Sequence, residues 1–348
     1  MTRELEIAIA YLQEEVAPRA AELDCDRAAL GQALAGLGDL ELLALSVTAN
    51  EETFRYFQEA IARYSGALAF LQTQHQSAAA MLARSPNEAL QREYLPHLAN
   101  GSRLVGVGFS HLRRHPSPVR AVPTEGGYLV DGEVPWVTGW EFFSEFIVGA
   151  ALPDGRSVFG VVPLSEIEGK IALSAPMQLA AMTSTQTVTA RLDRWFLPDA
   201  RVVMFKPPGW LEEHSRKNVL HHSFAALGCA RAGLDVLLEV ARKRKQAFVL
   251  EAFAALDREL TIAREAIFAA HFHLDSDARN PLILRATAIE LAVRCAHAAI
   301  AASGGAANLN DHPAGRAYRE ALVYTVTGQT PEVMAATLER SIGNFARG

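Results

Sequence analysis

The sequence predicts a multidomain α+β protein with a helical N-terminal domain over residues 1–102, a middle β-barrel or β-sandwich over 103–206, and a C-terminal four-helix bundle over 210–348. Three observations predict it. Apolar residues recur at helical spacing in the first hundred residues. Between about 103 and 203 the period changes to alternation, with turn residues closely spaced. Long amphipathic stretches then return after Pro207-Pro208-Gly209. A chain of 348 residues, 50% of them hydrophobic, is long enough to bury a core in each of these parts.

In the first part, Leu5, Ile7, Ile9, Leu12 and Val16 recur at roughly helical spacing, and Pro18 marks an end or a kink. A second helical stretch runs from about Arg27 to Leu45, interrupted by Gly31, Gly36 and Gly38. A third runs from about Asn50 to Tyr64, where an asparagine N-cap followed by Glu51 and Glu52 suits a helix start. Ser65-Gly66 breaks it. Residues 67–83 are small and apolar enough to be buried on most sides. Ser85-Pro86-Asn87-Glu88 opens a shorter helix, and Asn100-Gly101-Ser102 closes the region.

The candidate strands are Leu104 to Phe109, Gly127 to Val130, Glu133 to Thr138, Phe146 to Leu152, Ser157 to Val162 and Gln186 to Phe196. Gly126-Gly127, Asp131-Gly132, Asp154-Gly155 and Pro198-Asp199 separate them, and Asp131-Gly132 is expected to be a tight hairpin turn. In the last part, amphipathic stretches near 216–244, 247–274 and 281–303, with a shorter one near 331–343, predict an up-and-down bundle. Ser303-Gly304-Gly305 suits a helix end at which backbone approaches a ligand or another chain closely.

Composition narrows the function. A net charge of −6, from 33 basic and 39 acidic side chains, gives no global attraction to nucleic acid, and the basic runs Arg113-Arg114 and Arg242 to Lys245 are short. Cys25, Cys229 and Cys295 are few and far apart, as in reduced, buried thiols, and none has metal-ligand spacing, so no metal site is expected. There is no secretory h-region and no apolar run long enough to span a bilayer, so the expectation is a soluble, cytoplasmic protein whose partner is a small molecule.

The order of parts and several local patterns resemble the acyl-CoA dehydrogenase superfamily over almost the whole chain. The patterns are V-A-P-R-A-A-E-L-D (Val16 to Asp24), R-Y-S-G-A-L-A-F (Arg63 to Phe70), Y-L-P-H-L-A-N-G (Tyr94 to Gly101), D-G-E-V-P-W-V-T (Asp131 to Thr138), G-C-A-R-A-G-L-D (Gly228 to Asp235), S-G-G (Ser303 to Gly305) and Y-R-E-A (Tyr318 to Ala321). Each is weak alone; their collinearity carries the resemblance. It implies FAD held between the β domain and the bundle, a homodimer or homotetramer that completes the FAD site, and an acyl thioester, such as an acyl-CoA, or a related small substrate. Thr138 then corresponds to the hydroxyl that hydrogen-bonds flavin N5, Trp136 to the indole against the ring, and Phe109 and Ser110 to the strand end on its pyrimidine side. Lys245, Phe248, Gly304, Gly305 and Thr330 fall at further cofactor-binding positions. On residue types alone, Trp136 as core, Thr138 as an edge-strand residue and Ser110 as a turn cap remain open.

The departures are as informative. The family's catalytic base is a Glu in a Y-E-G-T segment, which here reads Thr327-Gly328-Gln329-Thr330, so Gly328 stands in its place. Some members carry the base on the first helix of the bundle, where this chain has Asn218 followed by Val219. Glycine takes no proton and asparagine is no carboxylate. Glu320 and Glu332 match positions that are not the base. The pyrophosphate-binding R-x-x-F-G is reduced to Lys245-Gln246-Ala247-Phe248-Val249. The phosphate turn A-G-S-D gives way to Ser110-His111-Leu112-Arg113-Arg114-His115, in which either arginine suits a phosphate. Ala301 replaces the usual glutamine, and the loop Val47-Thr48-Ala49-Asn50 near the acyl pocket is short. His221 and His222 are candidate acids or bases, since imidazole titrates near neutrality, or else a plain pair of helix histidines. Three readings stay open: a flavin oxidoreductase transferring hydride from an acyl thioester or related substrate, a flavin-dependent monooxygenase or oxidase of the same superfamily, and a non-catalytic scaffold.

Overall fold

The computed structural model describes residues 2–273 and 280–342; the expected helix ends at Leu274 and Gly343 lie outside the described residues. The N-terminal region consists of α1 (Arg3–Tyr11), a π-turn (Leu12–Val16), α2 (Ala20–Cys25), α3 (Arg27–Asp39), α4 (Leu45–Thr48), α5 (Glu51–Tyr64), α6 (Gly66–Ala83) and α7 (Glu88–Leu98). The caps are those the sequence suggests. The Asn50 side chain accepts the Thr53 N–H, Ser65 the Leu68 N–H and Asn87 the Leu90 N–H, each holding a helix start by about 1 kcal/mol. The expected single helix to Leu45 ends instead at Asp39. There the Cβ of any larger residue at Gly38 would lie 2.7 Å from the Asn100 carbonyl, so close backbone packing redirects the chain.

The middle region holds β1 (Val105–Gly108), β2 (Val119–Thr124), β3 (Gly127–Val137), β4 (Glu145–Ala151), β5 (Ser157–Pro163), β6 (Ile171–Leu173), β7 (Val188–Pro198) and β8 (Val202–Lys206). Strands pair in the order β6-β7-β3-β2-β4-β5-β8, with β1 parallel to β4 on its own register. The two halves of the sheet are joined between β2 and β4 at Arg120–Ala151. Gly108 on β1 packs against Val134 on β3, and Gly160 on β5 against Leu197 on β7, so the halves face one another as a sandwich.

The expected hairpin turn at Asp131-Gly132 is absent. β3 runs straight through it, and the hairpin lies earlier, at Glu125-Gly126, between β2 and β3. Gly132 is a bulge with φ of +133°, where an added Cβ would sit 2.0 Å from the Pro118 carbonyl. The Asp-Gly pair is therefore explained by close strand approach rather than by chain reversal.

The C-terminal region begins with α8 (Trp210–Lys217), separated from α9 (Ser223–Arg244) by a turn; α10 (Ala247–His271), α11 (Pro281–Ser303), α12 (Pro313–Val326) and α13 (Pro331–Ser341) follow. The stretch read as one helix from 216 is thus broken over 218–222, and α12, unread as a helix, completes the bundle against α9 and α11. Small residues set the spacing in Gly228 to Asp235. A Cβ on Gly228 would lie 2.1 Å from the Glu59 carbonyl of α5, and one on Gly233 would lie 2.7 Å from Cys295 backbone on α11.

Buried polar pairs join the three parts. The Asp24 carboxylate accepts from the Met182 N–H (2.7 Å) and from Arg319 on α12 (3.0 Å). Glu320, 1% exposed, pairs with Arg316 (2.7 Å) and accepts the Gly66 N–H at the start of α6 (3.0 Å). Tyr94 and Arg103 both meet Glu145 at the start of β4.

Candidate functional site

At the end of β3, alternation puts Val137 into the core while the Trp136 indole stays 48% exposed. Thr138 lies just past the strand and is 6% exposed, with its hydroxyl 2.9 Å from the Thr187 hydroxyl. Strand alternation alone would put Trp136 and Thr138 on one face; instead the chain leaves the strand at Gly139, whose N–H donates to the Thr185 carbonyl, and Thr138 is buried while Trp136 is exposed. Phe109 packs edge-on against Phe159, and Ser110 is exposed at the first position of a 3-10 turn lying against β3.

The other expected cofactor positions lie on the bundle. Lys245 caps α9 in the left-handed conformation, and Phe248 is exposed on the first turn of α10. Gly304 has φ of +69°, and a Cβ built on Gly305 would meet no atom within 4 Å, so the backbone is open to close approach there. Sequence reading passed over Arg244, which donates to the Ser303 carbonyl (3.1 Å) beside these glycines. The Thr330 hydroxyl caps α13 by accepting the Val333 N–H. Arg113 donates to Ser215 (3.0 Å), whereas Arg114 is exposed.

The base position brings two expected residues together. Gly328 has φ of +61°, and a Cβ there would lie 2.2 Å from His222 Cδ2 and 2.4 Å from Nε2. The His222 imidazole thus fills the space in which a side chain at 328 would begin. His222 is half-buried, at the N-cap of α9, with no capping bond from its ring. Burial first, then the positive charges of Arg285, Arg113, Arg55 and His214, push its pKa down to about 3. Burial, with Arg55 and the neighbouring histidines, takes His221 to about 2. Both rings are neutral near pH 7. Asn218 caps α8 through the His214 carbonyl, off the bundle helix on which it was expected. Glu320 is bound in its ion pair, and Glu332 lies on the exposed first turn of α13.

Glu51, His221 and His271 place ligand atoms within 4.8 Å of one another, a group invisible in sequence because three separate segments supply it. Glu51 Oε1 already accepts from His271 (2.9 Å) and Arg55 (3.1 Å). A dication there would meet the Arg55 guanidinium at about 4–5 Å, a repulsion of about 7 kcal/mol at an effective dielectric of about 20. The residues therefore suit an ion-paired network better than a metal. A cleft of ≈ 750 Å³ lined by α1, α5, α9 and α10 lies elsewhere, and its Arg63, Arg231 and Arg264 are each paired with an acid.

Helical, β and helical parts in this order are the architecture of the acyl-CoA dehydrogenase fold, and here the Trp136 indole is left uncovered on the β domain. The chain belongs to the acyl-CoA dehydrogenase superfamily: residues 5–102 match the model "Acyl-CoA dehydrogenase, N-terminal domain" and residues 217–343 match "Acyl-CoA dehydrogenase, C-terminal domain". Among its relatives, mitochondrial isovaleryl-CoA dehydrogenase of Arabidopsis thaliana is 23% identical over 304 residues, covering 82% of this chain and 74% of the relative. The fold is shared with butyryl-CoA dehydrogenase from Megasphaera elsdenii (TM-score 0.79, 16% identity, 99% of each chain covered). It is also shared with a glutaryl-CoA dehydrogenase from Mycobacterium smegmatis in complex with FADH2 (TM-score 0.81, 14% identity, 99% of this chain and 95% of that one). Among the described residues no helix is long and apolar enough to cross a membrane.

Proposed function

We propose that this protein is an FAD-dependent oxidoreductase acting on an acyl thioester or a related small substrate, and that it works as a homodimer or homotetramer. The observation that carries the reading is the Trp136 indole, large, apolar and 48% exposed beside buried strand neighbours. Such a surface gains about 1.5–3 kcal/mol when a planar partner covers it. Trp136, Phe109 and Ser110 on the β domain fit a flavin ring, and Gly304-Gly305 with Arg244 and Lys245 fit the approach of its phosphates. FAD supplies a hydride acceptor at N5. The chain's own contribution is the apolar wall of Trp136; the Thr138 hydroxyl, buried behind it and paired with Thr187, keeps capacity for one further hydrogen bond.

The residues do not fit the family's usual proton abstraction. Position 328 carries no carboxylate, and the ring that replaces one is held neutral by burial first and then by positive neighbours, which makes it a weak base. That favours, as a second reading, an oxygen-using flavoenzyme of the superfamily, in which no α-proton is removed. A non-catalytic scaffold predicts colourless protein. The test is an absorbance spectrum of the purified protein, then FAD titration. A flavin spectrum bleached by an acyl thioester supports the first reading, and reduced protein forming an oxygenated-flavin absorbance in air supports the second. Failure to bind FAD at all removes both.

A further inference from the structure

The start of α9 is a concentration of positive potential whose nearest acid, Glu51, is already bonded to Arg55 and His271. Its first turn holds no acidic residue, and its N-cap His222 makes no capping bond, so the helix dipole of a 22-residue helix is unopposed there. At the first helical position Ser223 Oγ is buried and has no hydrogen-bond partner. Behind it, on α11, Arg285 is 1% exposed and among the described residues pairs with no carboxylate. Its Nη2 donates to the carbonyls of Thr327 (2.9 Å) and Tyr324 (3.3 Å), next to Gly328, while Nη1 has no partner among them.

Arg113, Arg55 and His214 add to the field at His222. The nearby acids are already engaged. Glu51 holds Arg55 and His271, and Glu212 lies beside His115. A buried guanidinium is tolerated when a negative charge faces it, and among the described residues no side chain provides one.

We propose that the α9 N-terminus at His222-Ser223, backed by Arg285 and with the His222 ring standing where a side chain at Gly328 would be, binds a carboxylate group carried by the substrate. The place from which relatives project a carboxylate base has the opposite electrostatic character here: it receives negative charge. The neutral His222 imidazole offers one N–H, and the next residue offers the unpartnered Ser223 Oγ, while the Ser223 N–H is already given to the Leu220 carbonyl. Arg285 is shut off from solvent and acts as the charge behind these contacts. A small monoanion suits this set of donors, whereas a phosphate dianion generally draws on several charged donors in contact. In terms of the function proposed above, the substrate is an acidic acyl group rather than a plain aliphatic one. The anion site itself stands without the flavin reading.

The test uses flavin-free, full-length protein at constant ionic strength, titrated with sodium acetate, with neutral acetamide and with inorganic phosphate. The His222 ring resonances are followed by NMR, assigned by their loss in His222→Phe. Acetate is expected to shift them saturably and to bind at least about tenfold tighter than acetamide, with Arg285→Met weakening acetate by about tenfold or more, the effect of removing a charged partner. Because Arg285 also holds the end of α12, Ser223→Ala serves as a milder variant and is expected to weaken acetate about threefold. Acetate no tighter than acetamide, or acetate binding equally to wild type, Arg285→Met and Ser223→Ala, would overturn the proposal. Phosphate binding tighter than acetate would overturn the carboxylate assignment. Failure to take up FAD bears on the function proposed above and leaves this result intact.

Discussion

The contact between Gly328 and His222 gives the sharpest test of the site's geometry. In Gly328→Ala, the new Cβ enters a residue with φ of +61° and meets the His222 ring at 2.2 and 2.4 Å. The left-handed backbone accounts for about 1 kcal/mol, since an L-residue there brings Cβ close to carbonyl oxygen. Displacing a packed ring adds about 1–3 kcal/mol, so the single variant should lose about 2–4 kcal/mol. In a His222→Ala background the ring is gone and only the backbone part remains. The double-mutant cycle should then show a coupling of about 1–3 kcal/mol, read from urea midpoints at unchanged slope. If Gly328→Ala is equally destabilising in both backgrounds, within about 0.5 kcal/mol, the ring does not occupy that space. The reading of residue 328 as a position ceded to His222 then falls.

Three further outcomes follow from the same packing. Trp136→Ala should weaken FAD binding about tenfold while shifting the urea midpoint by less than about 0.5 kcal/mol, because an exposed ring contributes to a ligand rather than to the core; fluorescence titration measures the first, and unchanged FAD affinity would remove the indole from the site. Glu320→Ala should destabilise the protein by about 3–5 kcal/mol, since it leaves Arg316 buried without its partner and Gly66 N–H without an acceptor, and urea unfolding checks it. His111 is buried with its ring bonded to the Gly149 carbonyl, and burial pushes its pKa down to about 4. The unfolded chain therefore binds a proton that the folded one refuses between about pH 6.5 and 4. Stability falls on acidification, by about 2 kcal/mol from this residue between pH 7 and 5, and a smaller pH dependence in His111→Phe checks it.

What the chain declares by itself is its local chemistry. Asn50, Ser65 and Asn87 fix helix starts because their short side chains reach N–H groups three residues on, a contact written into adjacent sequence. Apolar period separates helical from β regions for the same local reason, and collinear motifs along the chain suffice to recognise the superfamily.

Non-adjacent contacts are written nowhere in that way. Asp131-Gly132 carries the signature of a turn, yet the approach of Pro118 makes it a bulge inside a strand. Strand alternation alone would put Thr138 beside Trp136 on one face, yet the chain leaves the strand at Gly139 and Thr138 is buried. The absence of a base at Gly328 can be read from one letter. That a histidine more than a hundred residues earlier fills the gap, with the buried Arg285 close by, depends on where α9, α11 and the end of α12 meet. Charge and volume at a site are sums over neighbours in space, and only the packed chain decides who those neighbours are.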